Sequence, residues 1–386
     1  MASASPMLDN EQLTVLVLQG GGALGAYQAG VYEGLVEEDC RPDWVAGISI
    51  GAINAAIIAG NPVGRRVPRL REFWDLVSSE LLYKLDEPLG FARRAFNEAS
   101  AAIAAMTGIP GFFHPRFPQL PPEWPADFSS LSIYDTTPLR RTLLDLVDFD
   151  LLNGGPMRFS VGAVNVMSGN FAYFDNRERE IRPEHIMASG ALPPGFPPVE
   201  VDGEWYWDGG LVSNTPLQYV LDHRPEEDMA VYQVDLFSAR GTVPRTLADV
   251  FQREKDIRYS SRTRMNTDQS KREQELRAAA RRLARKLPPE LREDSDLDLL
   301  LSNRSPAAVA ILHLINRCDA YESNSKDYEF SRMTVRDHWR TGYEDARFSL
   351  EHPDWRNRAC RSEEIATFDL AGERHHRTGG SEGAPA

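Results

Sequence analysis

The sequence predicts an α/β fold: a three-layer α/β/α arrangement around a mostly parallel sheet, with a C-terminal helical extension. Three observations predict it. Between Val15 and Ala59 two apolar segments each break into a glycine-bearing turn and continue as a helix, the order of a parallel βαβ unit. The segments themselves, Leu13 to Leu18 and Val45-Ala46, are apolar without alternation, as strands covered on both faces are. After Ser238 the composition changes, and no strand signal occurs from Thr246 to Leu287.

The elements follow in order. Residues 1–12 are polar and expected to be flexible. Leu13 to Leu18 is the first strand, Ala26, Val31, Leu35 and Val36 mark a helix ending before Pro42, and a second strand and small-residue helix stop at Gly60-Asn61-Pro62. Leu70, Phe73, Trp74, Val77 and Leu81 give an amphipathic helix from Val67 to Tyr83. A looser Ala-rich helix runs from Phe91 to Met106. The proline- and phenylalanine-rich Ile109 to Pro125 is either a packed connection or a lid over an apolar cleft. Asp135-Thr136-Thr137-Pro138 starts a further helix. Arg158 to Val166 and Asn170 to Phe174 read as strands, Glu184 to Ser189 as a short helix, and Val199 to Trp207 as a hairpin turning at Asp202-Gly203. Met229 to Phe237 is another strand. Pro306 to Ile315 and Thr334 to Phe348 read as apolar helices and Gly372 to Ala386 as disordered. The organisation expected is residues 13–238 as the sheet domain, 239–371 as a helical region and 372–386 as a tail.

Composition narrows the function classes. The net charge of -14 argues against broad nucleic-acid binding, because phosphate contacts need a basic surface. A local exception is Arg253 to Lys286, with twelve Lys/Arg against five Asp/Glu, a net of +7. Leu276, Ala280, Leu283, Ala284 and Leu287 put an apolar stripe on the same helix. It reads either as a solvated charged face or, across 253–287, as a docking surface for a lipid membrane, a droplet or a partner, including a second copy of the chain. Three separated cysteines, with no C-x-x-C spacing, suggest a reduced compartment and neither a disulfide framework nor a metal site. No basic and apolar leader precedes Leu13, so the expected location is cytoplasmic, with contact at the inner face of a membrane. Neither a cofactor nor a metal is expected.

Two turns and one distant pair of glycines carry the chemistry. Gly20-x-Gly22-x-x-Gly25, between a strand and a helix, lets backbone N–H groups turn inward and converge at a helix N-terminus, which suits an anion. A dinucleotide phosphate and a reaction oxyanion both satisfy it. The dinucleotide reading, an oxidoreductase, also wants an acidic residue at the end of the second strand, where Gly47 and Ser49 stand instead. Gly47-x-Ser49-x-Gly51 places a serine on a tight strand-to-helix turn, where a neighbouring Cβ would clash and the hydroxyl is exposed. A serine needs a base. No histidine follows a strand beside a matching acid, and one strand alone precedes the serine's own, so the Ser-His-Asp arrangement fails on topology. Asp208, followed by Gly209-Gly210 at the end of a hairpin arm, is either a simple turn or a carboxylate with room to approach another backbone.

These motifs, in this order and spacing, together with Ala188-Ser189-Gly190-Ala191-Leu192-Pro193, resemble the patatin-like phospholipase family from Leu13 to Phe237. The resemblance implies a patatin-like sheet and a hydrolase of lipid acyl esters working through an acyl-enzyme. Ser49 would be the nucleophile, Asp208 the general base, and the Gly20 to Gly22 amides the oxyanion hole. Many members carry Arg or Lys where this chain has Leu24, so lysophospholipids, neutral glycerolipids and other acyl esters stand beside phospholipids as substrates. The region after Ser238 resembles an extension in a bacterial subset of the family. A non-catalytic patatin-like protein that binds a membrane or partner is the alternative.

Overall fold

The computed structural model describes residues 12–78, 91–117, 123–225, 227–288, 294–297, 307–317, 325–358 and 365–379. In chain order the first half contains β1 (Leu13–Leu18), α1 (Gly25–Glu37), β2 (Trp44–Gly47), α2 (Ile50–Ala59), α3 (Val63–Val77) and α4 (Phe91–Thr107). A two-residue pair, β3 (His114–Pro115) and β4 (Tyr134–Asp135), precedes α5 (Thr137–Leu146), α6 (Phe149–Gly154), β5 (Arg158–Asn165) and β6 (Phe171–Asp175). Then come α7 (Pro183–Ser189), β7 (Val199–Val201), β8 (Glu204–Asp208), α8 (Leu217–Asp222) and β9 (Met229–Asp235). The remainder is α9 (Leu247–Ala284), β10 (Val309–Ile315), α10 (Arg332–Glu351), α11 (Pro353–Arg356), β11 (Ile365–Phe368) and α12 (Ala371–Gly379).

The strands β11-β10-β9-β1-β2-β5 lie side by side and all parallel, as strands joined by helical crossovers must. Antiparallel β6, β8 and β7 complete the other end. Side chains alternate between two apolar layers. Leu16 and Leu18 face the larger core under α1, α2 and α10, whereas Val15 and Val17 face a smaller one with Leu217 and Val220 of α8. Because both faces are covered, β1 shows no polar alternation in sequence.

The register on β5 positions the site. One edge of β5 pairs with β6 along Ser160 to Val164. The opposite edge pairs with β2 as far as Val161 and then with β8 from Ala163, which lies opposite Asp208. The end of β8 therefore arrives at the end of β2, beside the turn that carries Ser49. The hairpin that delivers it turns at Asp202 and Gly203, with φ of 52° and 85°, the left-handed pair that an Asp-Gly turn favours.

Three expectations about the C-terminal region need correction. Val309–Ile315 is a strand between β9 and β11, not a helix; a short buried apolar run has no periodicity to separate the two. The sheet consequently runs across the expected boundary at 238, although helices dominate the chain beyond it. Residues 371–379 form α12, tied by Arg374 and His375 to the buried Asp345, where the sequence suggests disorder from 372. Helix α10 packs closely on α1, since a Cβ at Gly30 would lie 1.9 Å from the Trp339 carbonyl oxygen. The tails 1–11 and 380–386, residues 79–83 of the expected α3 extension and 118–122 of the proline-rich stretch lie outside the described residues. Among the described residues no helix is long and apolar enough to cross a membrane.

Candidate active site

Ser49 sits between β2 and α2 with φ 56° and ψ -122°, a conformation that costs about 1–3 kcal/mol for a residue with a side chain. The turn closes only because glycines flank it. A Cβ on Gly47 would come within 2.3 Å of the Gly51 carbonyl oxygen, and one on Gly51 within 2.4 Å of that of Leu18. The Ser49 amide donates to the Ser189 hydroxyl at 3.1 Å, which itself donates to the Gly162 carbonyl at 2.7 Å. Ser189, at the end of α7, thus pins the strained turn to β5.

Asp208 ends β8, its amide donating to the Ala191 carbonyl at 3.0 Å. Its carboxylate is buried, accepts the Gly210 amide at 2.7 Å, and lies beside the Ser49 hydroxyl, whose dipole favours the ionised form. Burial pushes its pKa up to about 6, against the lowering effect of those two donors. A carboxylate of that basicity is a better proton acceptor than an exposed one and is still ionised at neutral pH. Gly209 and Gly210 form the tight turn after the strand.

The glycine turn after β1 is held from both sides. The Gly20 amide donates to the Asn214 carbonyl at 3.1 Å, and the Asn214 side-chain amide returns a bond to the Gly20 carbonyl at 2.9 Å. Gln19 is fully buried, accepting from the Leu236 and Phe237 amides and donating to Thr215 and to the Tyr259 carbonyl. The Ala23 amide donates to the Asp327 carbonyl at 2.9 Å. Among the described residues no protein acceptor engages the Gly21 and Gly22 amides. The expected trio of donors therefore narrows: Gly20 is occupied by Asn214, and Gly21 and Gly22 remain available. Gly25 opens α1 against Ile50.

Ser49, Asp208 and Gly20 to Gly22 share one cleft of about 380 Å³. Its walls are apolar, with Ile53, Phe112, Phe113, Phe196, Phe237 and Phe330 among them. Of the proline-rich stretch, Phe112 and Phe113 thus both pack and wall the cleft, whereas Phe117 and Trp124 are exposed. The described lining contains neither histidine nor a cationic side chain. Leu24 is fully buried in the main core, away from the cleft.

Several supporting residues escaped the sequence reading. Ser189 lay inside a recognised stretch without a role, and the polar run Ser213-Asn214-Thr215 after the glycine pair was a usable signal. Asp327, Tyr328 and Phe330 also line the cleft, and nothing in their sequence marks them.

A family model described as patatin-like phospholipase matches residues 16–221, more than half of the chain, and a second, described as patatin phospholipase, matches 257–362. A patatin-like phospholipase domain-containing protein of Caenorhabditis elegans is 41% identical over 59 residues, which span 15% of this chain and 5% of that relative. Among solved structures, VipD from Legionella pneumophila is similar with 13% identity and a TM-score of 0.33, covering 85% of this chain and 67% of its own. Human GIVD cytosolic phospholipase A2 is similar with 12% identity and a TM-score of 0.32, covering 58% and 43% respectively. Because the first of these models covers more than half of its length, the chain belongs to the patatin-like phospholipase family.

Proposed function

We propose that the protein is a serine-dependent lipid acyl hydrolase of phospholipase A or lysophospholipase type, using Ser49 and Asp208 through an acyl-enzyme. Ser49 Oγ attacks the ester carbonyl carbon while Asp208 takes the hydroxyl proton, and the Gly21 and Gly22 amides stabilise the oxyanion. Collapse of the tetrahedral intermediate breaks the ester C–O bond, and Asp208 returns the proton to the departing alcohol. Water, deprotonated by Asp208, then attacks the acyl-enzyme and releases the fatty acid and Ser49. The observation that carries this reading is the juxtaposition of Ser49 and the buried Asp208 carboxylate, residues far apart in sequence, in one apolar cleft beside the Gly21 and Gly22 amides. That cleft suits an acyl chain. Lysophospholipids, neutral glycerolipids and other acyl esters stand alongside phospholipids as its substrates.

The supporting experiment is a panel of lipid and short-chain esters hydrolysed by wild type and Ser49→Ala side by side, with fluorophosphonate labelling of both. Turnover and labelling in wild type, absent from the variant, are expected. Full labelling of Ser49→Ala would overturn the assignment, and a wild type inert on every ester would favour a non-catalytic binding protein.

The second half of α9 supports a docking role toward a lipid surface. Leu276 and Leu283, two turns apart on one face, are exposed beside exposed Arg272 and Lys286.

A further inference from the structure

The glycine turn has two anchors, and the outer one comes from the C-terminal region. On the inner side Gly20 and Asn214 exchange two hydrogen bonds; on the outer side the Ala23 amide donates to the Asp327 carbonyl at 2.9 Å. Gly21 and Gly22 span the gap. Gly22 has φ 56°, and a Cβ there would lie 2.2 Å from the same Asp327 oxygen, so the residue type and the conformation are both adapted to this contact.

What holds Asp327 in place is α9. Lys255 Nζ donates to Asp327 Oδ1 at 2.7 Å and lies 4.9 Å from the centre of the Tyr328 ring. One residue along each segment, the buried Lys326 ammonium pairs with Asp256 at 2.8 Å. Two consecutive α9 residues thus clamp two consecutive residues of 325–328, both pairs largely removed from solvent, where breaking a pair by removing one partner is costly.

Resting on the reading of Ser49 as nucleophile, we infer that the Lys255–Asp327 ion pair is a positioning device for the oxyanion donors. It fixes the Asp327 carbonyl against the Ala23 amide and so keeps the Gly21 and Gly22 peptides facing the reacting carbonyl. Lys255 and Asp327 both act through that turn; Lys255 lies outside the cleft lining, so its variants report the turn alone, whereas Asp327 also lines the cleft. The C-terminal region is accordingly a required part of the catalytic apparatus and not an appendage to it.

The test compares wild type, Lys255→Met, Lys255→Arg and Asp327→Asn, each normalised to the fraction of protein that a fluorophosphonate labels. Direct loss of an oxyanion donor costs about 10²–10³-fold in kcat, so displacing the donors should cost less, about 10- to 100-fold, with KM little changed. Lys255→Arg should restore part of the loss. The diagnostic readout is the ratio of rates on an ester and its thionoester, whose sulfur accepts amide hydrogen bonds poorly. That ratio should fall in Lys255→Met and Asp327→Asn, because wild type alone has aligned donors to lose. A merely structural clamp would lower thermal stability and the labelled fraction while leaving kcat per labelled site and the thionoester ratio at wild-type values; that result overturns the inference. If Lys255→Met does not fold, Asp327→Asn, which keeps the backbone carbonyl and the side-chain volume, carries the comparison. A wild type that fluorophosphonate does not label is a separate failure, that of the Ser49 assignment.

Discussion

The chain up to Asp235 and the chain from Leu247 onward share one sheet yet contribute different things to the cleft. The first supplies the atoms proposed to react: the Ser49 hydroxyl, the Asp208 carboxylate and the Gly21 and Gly22 amides. The second supplies wall and brace through Tyr259, Asp327, Tyr328 and Phe330. Reacting groups need unusual backbone, a positive φ at Ser49 and glycines where two main chains touch. A wall needs only ordinary side chains at the right place. Substitutions in the two regions should therefore differ in kind, loss of chemistry with the fold kept in one and graded loss in the other.

Ser49→Ala should produce the largest effect, a loss of at least about 10³-fold in turnover with little change in melting temperature. Measuring both on the same preparation is the check; retained turnover breaks the division of labour at its source. Asp208→Asn should cost about 10²–10⁴-fold in kcat/KM. It should also stabilise the protein at alkaline pH. The folded-state pKa of about 6 lies above the ordinary 3.8, so the native fold favours the protonated carboxyl. That contribution is complete below 3.8 and is lost as pH rises through about 6, leaving the ionised group a net cost. The variant should be more stable than wild type by on the order of 1–3 kcal/mol at pH 8, the gap closing toward pH 4. Wild-type kcat/KM should rise through an apparent pKa near 6 and then level off. Denaturation midpoints at the two pH values test the sign, and a wild type more stable than the variant at pH 8 contradicts it.

The same difference governs how much was legible in the sequence. Glycine spacing marks both turns, Asp202-Gly203 marks the hairpin, and the pairing of Ser49 with Asp208 follows from the family resemblance; the structure brings both into one cleft. Val309–Ile315 is the least legible strand, because its apolar run fits a buried strand and a buried helix equally until its neighbours β9 and β11 are seen. The occupation of the Gly20 amide was equally hidden, because it depends on where Asn214 arrives. Asp327 lies about three hundred residues from the turn it touches, and the contact uses its backbone carbonyl, for which every residue type looks alike. Long-range support through main-chain atoms leaves no trace in side-chain pattern.

The seam between the regions gives a sharper test. Gly22→Ala places a methyl 2.2 Å from the Asp327 carbonyl oxygen in a conformation with φ 56°. The turn or the 325–328 segment must shift, costing about 1–3 kcal/mol in stability and, by moving the proposed oxyanion donors, about 10- to 100-fold in kcat. Gly64→Ala in α3, where a Cβ meets nothing within 4 Å, serves as the control and should match wild type in kcat and be at least as stable. Equal behaviour of the two variants would mean that the seam is looser than its contacts imply.

The smallest effect belongs to the C-terminal surface alone. Exposed Arg272 and Lys286 flank the face of α9 that carries the exposed Leu276 and Leu283. If that face docks on lipid, each basic residue near an anionic surface contributes about 1 kcal/mol, and reversing both charges should weaken binding by on the order of 10²–10³-fold. Arg272→Glu combined with Lys286→Glu is then compared with wild type on vesicles of mixed anionic and zwitterionic lipid, at low and high salt. Weaker binding that salt abolishes in wild type, with hydrolysis of a soluble short-chain ester unchanged, is the expected pattern, because neither residue touches the cleft. Unchanged vesicle binding would return α9 to the bland reading of a solvated charged helix. An equal fall on the soluble ester would show that α9 influences the cleft through its packing, along the same path by which Lys255 is inferred to act.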